Sequence, residues 1–269
     1  GLRIMEKGIR FENVWFSYTN NSDYALEDVS FEINPGERVA LVGVTGGGKS
    51  SIISLLLRFY DPQRGRITID GQDIRDMTKD ELRRVFGLVL QDIYLFPGTV
   101  SSNVSLDADS IASGKIAEAV KTVGADGFVG RLPGGIQAPI SEQGSNLSRG
   151  ERQLLSFARA LVIDPQVLIL DEATSSVDPE TERRIQRALA LLMENRTSLI
   201  VAHRLSTILE CDRILVIKDG LIHEQGTHAE LVEAGKYYYN LFRLQFAGNG
   251  EGARVIEARP AEEMTHVEP

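Results

Sequence analysis

The sequence predicts an α/β fold with a mainly parallel central sheet, an N-terminal antiparallel β-layer and an inserted helical subdomain. Short apolar strand candidates alternate with helix candidates along most of the chain, which is typical of parallel strands joined by helices. Two segments near the start alternate apolar and polar residues, as strands with one exposed face do. The 269 residues suffice for one large domain or two small ones with a buried core.

The front layer is predicted from residues 9–18 and 25–33. The first segment is rich in β-branched and aromatic side chains, and its period-2 alternation is broken between Phe11 and Val14. The second segment alternates apolar positions and stops at Asn34-Pro35-Gly36, a turn sequence. We expect these two segments to form antiparallel strands.

The central sheet is predicted from apolar strands and the helices between them. Residues 38–43 form a continuous apolar run, typical of a strand covered on both faces, and residues 49–60 predict a buried helix. The further strand candidates are residues 66–70, 85–91, 166–171, 197–202 and 213–218. The further helix candidates are residues 115–129, 148–163, 179–195 and 228–246.

The alternation is interrupted over residues 99–163, where helical segments are joined by loops rich in Gly and Pro. We expect an inserted helical subdomain there, within one folded domain of residues 1–247. Residues 248–269 lose apolar periodicity and hold five acidic residues against two arginines, so they are expected to form a disordered tail.

Composition excludes several classes of function. With 29 Lys and Arg against 38 Asp and Glu the net charge is −9, so a broad basic face is disfavoured and no nucleic-acid partner is expected. The single cysteine, Cys211, rules out an internal disulfide. No long uncharged apolar run and no signal-peptide core are present, so this sequence is expected to be soluble and to span no membrane itself.

Residues 43–50 read Gly-Val-Thr-Gly-Gly-Gly-Lys-Ser and fit G-x-x-x-x-G-K-[ST] between a strand and a helix candidate, as in a P-loop NTPase core. Glycines let backbone N–H groups converge on phosphate oxygens, and the helix N-terminus adds partial positive charge. Lys49 would reach the β- and γ-phosphates and Ser50 would bind Mg²⁺. The predicted nucleotide-binding residues are Gly43, Thr45, Gly46, Gly47, Gly48, Lys49, Ser50 and Ser51. The alternative is a glycine-rich turn that only caps a helix.

Two acids, Asp171 and Glu172, end the strand candidate at residues 166–171. At the carboxyl end of a parallel strand they would face the same crevice as the phosphate loop. Successive strand residues point to opposite sides, so the two acids should differ in role. Asp171 is predicted to hold Mg²⁺ through water and Glu172 to orient or deprotonate the attacking water. The alternative is a pair of solvated strand-end acids.

The run Asn146-Leu-Ser-Arg-Gly-Glu-Arg-Gln153 resembles the signature motif of ABC ATPases, usually Leu-Ser-Gly-Gly-Gln. The order of motifs is also similar to that family over residues 9 to 246: an aromatic residue, the phosphate loop, a glutamine, the signature, two acids, Ser175–Asp178 and a histidine.

This resemblance implies roles for three further residues. Tyr18 would stack on adenine, Gln91 would reach Mg²⁺ or the lytic water, and His203 would donate to the γ-phosphate. Glu172, His203 and Gln91 are thus the predicted catalytic residues, and Ser50, Gln91 and Asp171 the predicted Mg²⁺ ligands. The alternatives are an aromatic residue packed on the core, a plain turn residue and a structural histidine.

The signature keeps the serine and the second glycine of the family motif, as Ser148 and Gly150. It has Arg149 where the family usually has the first glycine, and Glu151 where the family usually has glutamine. Ser148 and Glu151 also fit a capping box. In the family the signature acts on nucleotide bound by a partner subunit, so Ser148, Gly150 and Glu151 are predicted to face the partner's ATP. A glutamate near triphosphate is unfavourable, and Arg149 would partly offset it.

The resemblance implies an ATP-hydrolysing domain that uses ATP and Mg²⁺. Residues 88–104 look like those of exporters, with a membrane region fused upstream. The expected partners are a second nucleotide-binding domain and the coupling helices of a transmembrane domain, at the cytoplasmic face of a membrane. An irregular signature beside Glu172 and His203 resembles one half of a heterodimeric exporter, which favours a heterodimer over a homodimer.

Two alternatives remain open. One is a soluble ABC-type ATPase that acts as an ATP-dependent binding switch on DNA, ribosomes or cofactor assembly, which the acidic balance and the lack of a coiled-coil insertion disfavour. The other is a small-molecule phosphoryl transferase, which would leave the signature and His203 unexplained.

Overall fold

The computed structural model describes residues 5–19, 23–106, 108, 111–171, 178–202 and 204–246. Its strands there are β1 (Ile9–Phe16), β2 (Leu26–Ile33), β3 (Arg38–Val42), β4 (Arg64–Ile69), β5 (Gln72–Asp73), β6 (Phe86–Val89), β7 (Gly98–Thr99), β8 (Pro139–Ile140), β9 (Val167–Asp171), β10 (Thr197–Val201), β11 (Arg213–Lys218) and β12 (Leu221–Gly226). Its helices are α1 (Lys49–Leu56), α2 (Lys79–Arg84), α3 (Val100–Ser105), α4 (Ser113–Thr122), α5 (Asp126–Val129), α6 (Arg149–Val162), α7 (Pro179–Met193), α8 (Leu205–Leu209), α9 (His228–Ala234) and α10 (Tyr237–Phe246).

The central sheet has the strand order β12-β11-β3-β10-β9-β6. The strands from β11 to β6 run parallel, while β12 pairs antiparallel with β11. Alternate residues of β3 enter two different cores: Ala40 and Val42 pack on one face, and Val39 and Leu41 on the other. The continuous apolar run is therefore a doubly covered strand, and the predicted α/β class is confirmed.

A smaller antiparallel sheet of order β2-β1-β4-β5 shares a core with one face of the central sheet. In β1 the pairing register with β2 shifts between Phe11 and Val14, and Asn13 has a φ of +47°, so a bulge accounts for the broken alternation.

The strand candidate at residues 66–70 joins this front layer as β4, which corrects its expected place among the strands of the central sheet. The reason lies in its partners: Ile67 stands opposite Phe11 of β1 in the front core. Asp70, directly after β4, accepts hydrogen bonds through Oδ1 from the backbone N–H groups of Glu6, Lys7 and Gly8.

Several helix bounds differ from those predicted. Helix α1 ends at Leu56 instead of residue 60. The predicted helices at residues 115–129 and 228–246 are each divided in two, at Gly124 and Gly235, both of which have positive φ. Helices α2 and α8 and strand β12 have no counterpart in the sequence prediction, and α3 lies in the segment predicted as helical but without predicted bounds of its own.

Helices α3 to α6 and the antiparallel strand pair β7-β8 occupy the segment predicted as an inserted helical subdomain. Helices α3 and α4 pack on α6, which also contacts α7 and β6, and all share the core on one face of the central sheet. The bounds 99–163 for a subdomain and 1–247 for the domain therefore stay predictions. The predicted tail at 248–269 lies outside the described residues.

Across the described part of the chain, the helices are too short or too polar to cross a membrane.

Candidate nucleotide site

The phosphate loop, residues 43–50, joins the end of β3 to the start of α1. A Cβ atom on Gly43 would lie 2.1 Å from the carbonyl oxygen of Ile217 in the neighbouring strand β11, so only glycine fits there. Gly48, the residue before α1, has a φ of +114°, which favours glycine. The first turn of α1 has no acidic residue and no side-chain cap. Its N–H groups therefore keep their positive potential for an anion.

Lys49 is 7% exposed, and its ammonium lies folded against the loop that precedes it. Its Nζ donates hydrogen bonds to the carbonyl oxygens of Gly43 (2.7 Å) and Val44 (2.9 Å). Burial lowers the pKa of Lys49, and the nearby Asp171 carboxylate opposes that shift. The structure thus holds a partly desolvated cation beside the loop, with the Asp171 carboxylate nearby.

A cavity of about 650 Å³ opens in front of the loop and brings together residues from distant parts of the chain. We call it the main cavity. It is lined by Tyr18, Ala25, Thr45, Gly46, Gly48, Lys49, Ser50, Ser51, Gln91, Asp171 and Val201. Its volume is within the range of about 300–1,000 Å³ that small-molecule sites have. Among the predicted loop residues, Gly43 and Gly47 shape the backbone and do not line this cavity.

Tyr18 stands at the rim of the main cavity. Its ring is 50% exposed and meets the rings of Phe16 and Tyr60 edge to face. Its hydroxyl lies 3.0 Å from the hydroxyl oxygen of Ser51. The ring is therefore fixed in orientation at the cavity and is not enclosed in the core.

Gln91 and Asp171 lie at the carboxyl ends of neighbouring parallel strands. Strand β9 ends at Asp171, and β6, which pairs with it, ends two residues before Gln91. Both side chains line the main cavity with Ser50. An amide, a carboxylate and a hydroxyl are oxygen donors that suit Mg²⁺, so the residues fit that ion. In the described part of the chain, no group of three or more His, Cys, Asp or Glu side chains is placed to bind a metal.

Glu172, Ser175–Val177 and His203 lie outside the described residues. Their neighbours in sequence are described: Asp171 and Val201 face each other in the pairing of β9 with β10. The roles predicted for Glu172 and His203 stay predictions.

The signature residues lie at the start of α6 and do not line the main cavity. The capping box is confirmed: the Ser148 hydroxyl oxygen accepts from the Glu151 N–H (3.3 Å), and Glu151 Oε2 accepts from the Ser148 N–H (2.9 Å). A Cβ on Gly150 would lie 2.2 Å from Thr181 Cγ2, so this glycine lets α6 pack closely on α7. The contact of Ser148, Gly150 and Glu151 with a partner's nucleotide stays a prediction.

A second, small cavity of about 30 Å³ lies between the strand ends and α6, and Gln91 and Asp171 line it as well. Its polar lining also includes Arg149, Gln153 and Arg204. Arg204 forms an ion pair with Glu182 in the first turns of α7. Sequence reasoning missed Arg204 and Gln153; for Arg204 the available signal is its position directly after His203.

Comparison with known proteins gives one consistent result. The family profile described as ABC transporter matches residues 26–175. The Bacillus subtilis protein described as probable multidrug resistance ABC transporter ATP-binding/permease protein YheH is 51% identical over 237 residues, covering 88% of this chain and 35% of that protein. The ATP-dependent lipid A-core flippase of Albidiferax ferrireducens is 49% identical over 244 residues, covering 90% of this chain and 42% of the flippase.

A solved structure agrees with these relatives. The structure of a bacterial Atm1-family ABC exporter with ATP bound matches with a TM-score of 0.82 and 38% sequence identity. The match covers 98% of this chain and 44% of that exporter chain. The chain thus spans less than half the length of these relatives.

Proposed function

The chain belongs to the ABC transporter family, whose ATP-binding domains are ATPases, and we propose that its main cavity binds and hydrolyses ATP to power an exporter. One observation carries this proposal: Tyr18, the phosphate loop, Gln91 and Asp171 line a single cavity although they are far apart in sequence. The fold brings these residues together, and the amino-acid composition by itself does not account for their meeting in one cavity.

The binding step uses the phosphate loop and Tyr18. The N–H groups at the start of α1 and the Lys49 ammonium bind the phosphates, because both are positive and the first turn of α1 has no acidic residue and no side-chain cap. Tyr18 offers its exposed ring to adenine. Ser50, Gln91 and Asp171 would hold Mg²⁺, which supplies positive charge to the β- and γ-phosphate oxygens when bound.

The hydrolytic step follows from the residues after β9 and β10. Glu172 orients the attacking water and accepts its proton while the water oxygen bonds to the γ-phosphorus. The bond from that phosphorus to the β,γ-bridging oxygen breaks, which leaves ADP and phosphate. His203 donates a hydrogen bond to the γ-phosphate oxygens as their charge develops. The pairing of β9 with β10 supports this, since Asp171 and Val201 lie side by side.

The signature is proposed to act on a second nucleotide-binding domain that joins head to tail when ATP binds. The two helix N-termini differ: α1 has no side-chain cap, whereas α6 is capped by Ser148 and Glu151 of its own chain. The Glu151 carboxylate therefore reduces the attraction of α6 for a partner's triphosphate, and exposed Arg149 offsets it in part. This asymmetry favours a heterodimer whose partner carries the complementary defect.

The relatives support an exporter. One is named as a probable multidrug resistance ATP-binding/permease protein and another as a lipid A-core flippase. We infer a transmembrane domain, outside the matched region, that contacts this domain at the cytoplasmic face of a membrane through coupling helices. These names favour the exporter over a binding switch on nucleic acid, in agreement with the net charge of −9.

The test of hydrolysis is Glu172→Gln, which keeps the shape of the side chain and removes its basic carboxylate. We expect steady-state phosphate release to fall on the order of 100-fold or more while ATP binding persists. The measurements are phosphate release by the chain, alone and with its partner, and equilibrium binding of a fluorescent ATP analogue. Glu210→Gln, at an exposed residue after α8, is the matched control and should retain the parent rate. Near-normal turnover by Glu172→Gln would remove Glu172 from this role.

The same variant tests whether the chain dimerises with itself or requires a different partner. If a heterodimer is required, Glu172→Gln should remain monomeric with ATP until the partner is added, as judged by light scattering. A homodimer of this chain alone that traps two ATP molecules would contradict the heterodimer proposal.

A further inference from the structure

Arg159, in the last turns of α6, is a half-buried cation that forms no ion pair with any carboxylate in the described ranges. Burial lowers the pKa of its guanidinium. Its hydrogen bonds all go to a loop and a short helix: Nε donates to the Asn103 carbonyl (2.9 Å), Nη1 to the Tyr94 carbonyl (3.0 Å) and Nη2 to Asn103 Oδ1 (3.2 Å). Desolvating a charge in this way is unfavourable unless its hydrogen bonds compensate.

Asn103, in α3, is 1% exposed and fixes the same loop from the other side. Its Nδ2 donates to the carbonyl oxygens of Phe96 (2.8 Å) and Thr99 (3.0 Å). Its Oδ1 accepts from the Phe96 N–H (2.8 Å) as well as from Arg159. Every polar group of this amide side chain is thus used to hold the loop.

The loop in question covers residues 90–97, between β6 and β7, and we call it the Gln91 loop. Apolar packing anchors it through Leu95, which is fully buried, and through Ile93, which is partly buried against the same core, while Tyr94 and Phe96 are about half exposed. The Arg159 guanidinium lies 5.9 Å from the centre of the Phe96 ring. The polar contacts fix the backbone at two further points, the Tyr94 carbonyl held by Arg159 and the Phe96 N–H and carbonyl held by Asn103.

Helix α6 therefore connects two functional regions. It begins directly after Ser148 in the signature, and Arg159 holds the Gln91 loop about 16 Å further along the same rigid helix. Gln91 lines the main cavity three residues before Tyr94.

We propose that Arg159 is a positioning residue that, with Asn103, fixes the Gln91 loop to α6, so that a displacement of α6 moves Gln91 relative to Ser50 and Asp171. The proposal rests on the proposed function, because it requires Gln91 to serve Mg²⁺ or the attacking water. In this proposal one arginine, which lies outside the predicted motifs, transmits a movement of the signature end of α6 to the nucleotide site of the same chain.

The test is Arg159→Gln in the full 269-residue chain together with its partner subunit. We expect the Mg²⁺ concentration for half-maximal hydrolysis to rise about tenfold, with little change in KM for ATP, since the phosphate loop is untouched. Arg58→Gln is the matched control: Arg58 also donates to two backbone carbonyls, those of Ile74 and Met77, and neither residue belongs to the Gln91 loop. It should leave the Mg²⁺ requirement at the parent value.

A double-mutant cycle separates positioning from general damage. In a Gln91→Ala background, Arg159→Gln should have no further effect on the Mg²⁺ requirement, because the group that it positions is gone. An equal effect in both backgrounds, or no effect in the parent, would overturn the proposal. If Arg159→Gln does not fold, Arg159→Lys, which keeps the charge but not the forked geometry, is read in the same cycle.

Failure of the proposed function would give a different experimental result. If the parent chain binds no ATP, the ATP site itself is wrong, and positioning is then read from amide hydrogen exchange. Faster exchange at residues 92–99 in Arg159→Gln, with no change in Arg58→Gln, would support the attachment to α6. Unchanged exchange would overturn that as well.

Discussion

The phosphate loop and the Gln91 loop are both held by hydrogen bonds from a buried or half-buried cation to backbone carbonyl oxygens. The two cations differ in how far along the sequence they lie from their acceptors. In each case, a cation whose pKa is lowered by burial donates hydrogen bonds to backbone carbonyl oxygens: Lys49 to two in the phosphate loop, and Arg159 to one in the Gln91 loop and one in α3. Lys49 is six and five residues from its acceptors in Gly43 and Val44. Arg159 is 56 and 65 residues from its backbone acceptors in Asn103 and Tyr94.

This difference in sequence separation distinguishes the phosphate loop, which we propose to be the fixed part of the site, from the Gln91 loop, which we propose to be the movable part. Both carbonyl acceptors of Lys49 lie in the phosphate loop itself, so under the proposal above this loop stays in place when α6 moves. A loop held by a distant helix follows that helix. Binding and coupling are therefore assigned to different loops of one cavity, and each prediction below acts on one of them.

The largest effect is expected for Lys49→Ala in the fixed loop. Loss of the ammonium removes charge-assisted hydrogen bonds to phosphate, so ATP affinity should fall on the order of 100-fold. Equilibrium binding of a fluorescent ATP analogue measures this, and Lys79→Ala, at an exposed residue of α2, is the control. Unaltered affinity in Lys49→Ala would mean that the loop is only a helix cap.

A smaller effect, on folding stability, is expected for Asn103→Ala beneath the movable loop. The change leaves the Phe96 N–H, two carbonyl oxygens and Arg159 short of partners, which should lower the free energy of unfolding by about 2–4 kcal/mol. Urea unfolding measures the change. Asn146→Ala removes an exposed amide with similar backbone contacts, and its cost should stay below about 1 kcal/mol. Equal costs would show that burial of Asn103 does not matter.

The smallest effect is a pH dependence of ATP affinity, which should differ between Lys49 in the parent chain and an arginine at the same position. Burial lowers the pKa of Lys49 below its ordinary 10.5, so as pH rises toward 10.5 this ammonium loses its proton before an exposed lysine would. ATP affinity should then fall as pH rises toward 10.5, beginning at a lower pH than the titration of an exposed lysine would cause. Lys49→Arg, compared with its own value at low pH, should lose less. A flat profile in the parent would contradict the desolvated lysine.

Local motifs of the site could be predicted from the sequence. The phosphate loop, the capping box of Ser148 with Glu151, and Asp171 at a strand end each depend on neighbours within a few residues, so spacing alone reveals them. The family prediction is confirmed for the same reason, because it rests on several such motifs in one order.

Long-range partners could not be predicted. Nothing in the sequence near Arg159 names Asn103 or Tyr94 as its acceptors, and the close approach of Gly150 to Thr181 depends on the packing of α6 on α7. Strand β4 was assigned to the wrong sheet because a short apolar segment does not specify which neighbour it pairs with. By contrast, Gly124 was visible inside a predicted helix, and its positive φ ends α4 nearby.

The most direct test of the ATP site is a crystal structure of Glu172→Gln with ATP and Mn²⁺ in place of Mg²⁺. Mn²⁺ scatters anomalously, so its position can be read without assumptions about the ligands. The account predicts one anomalous peak in the main cavity beside Ser50, Gln91 and Asp171, with the triphosphate along residues 43–50 and adenine on Tyr18. Nucleotide bound elsewhere, or a metal peak away from these three side chains, would contradict it.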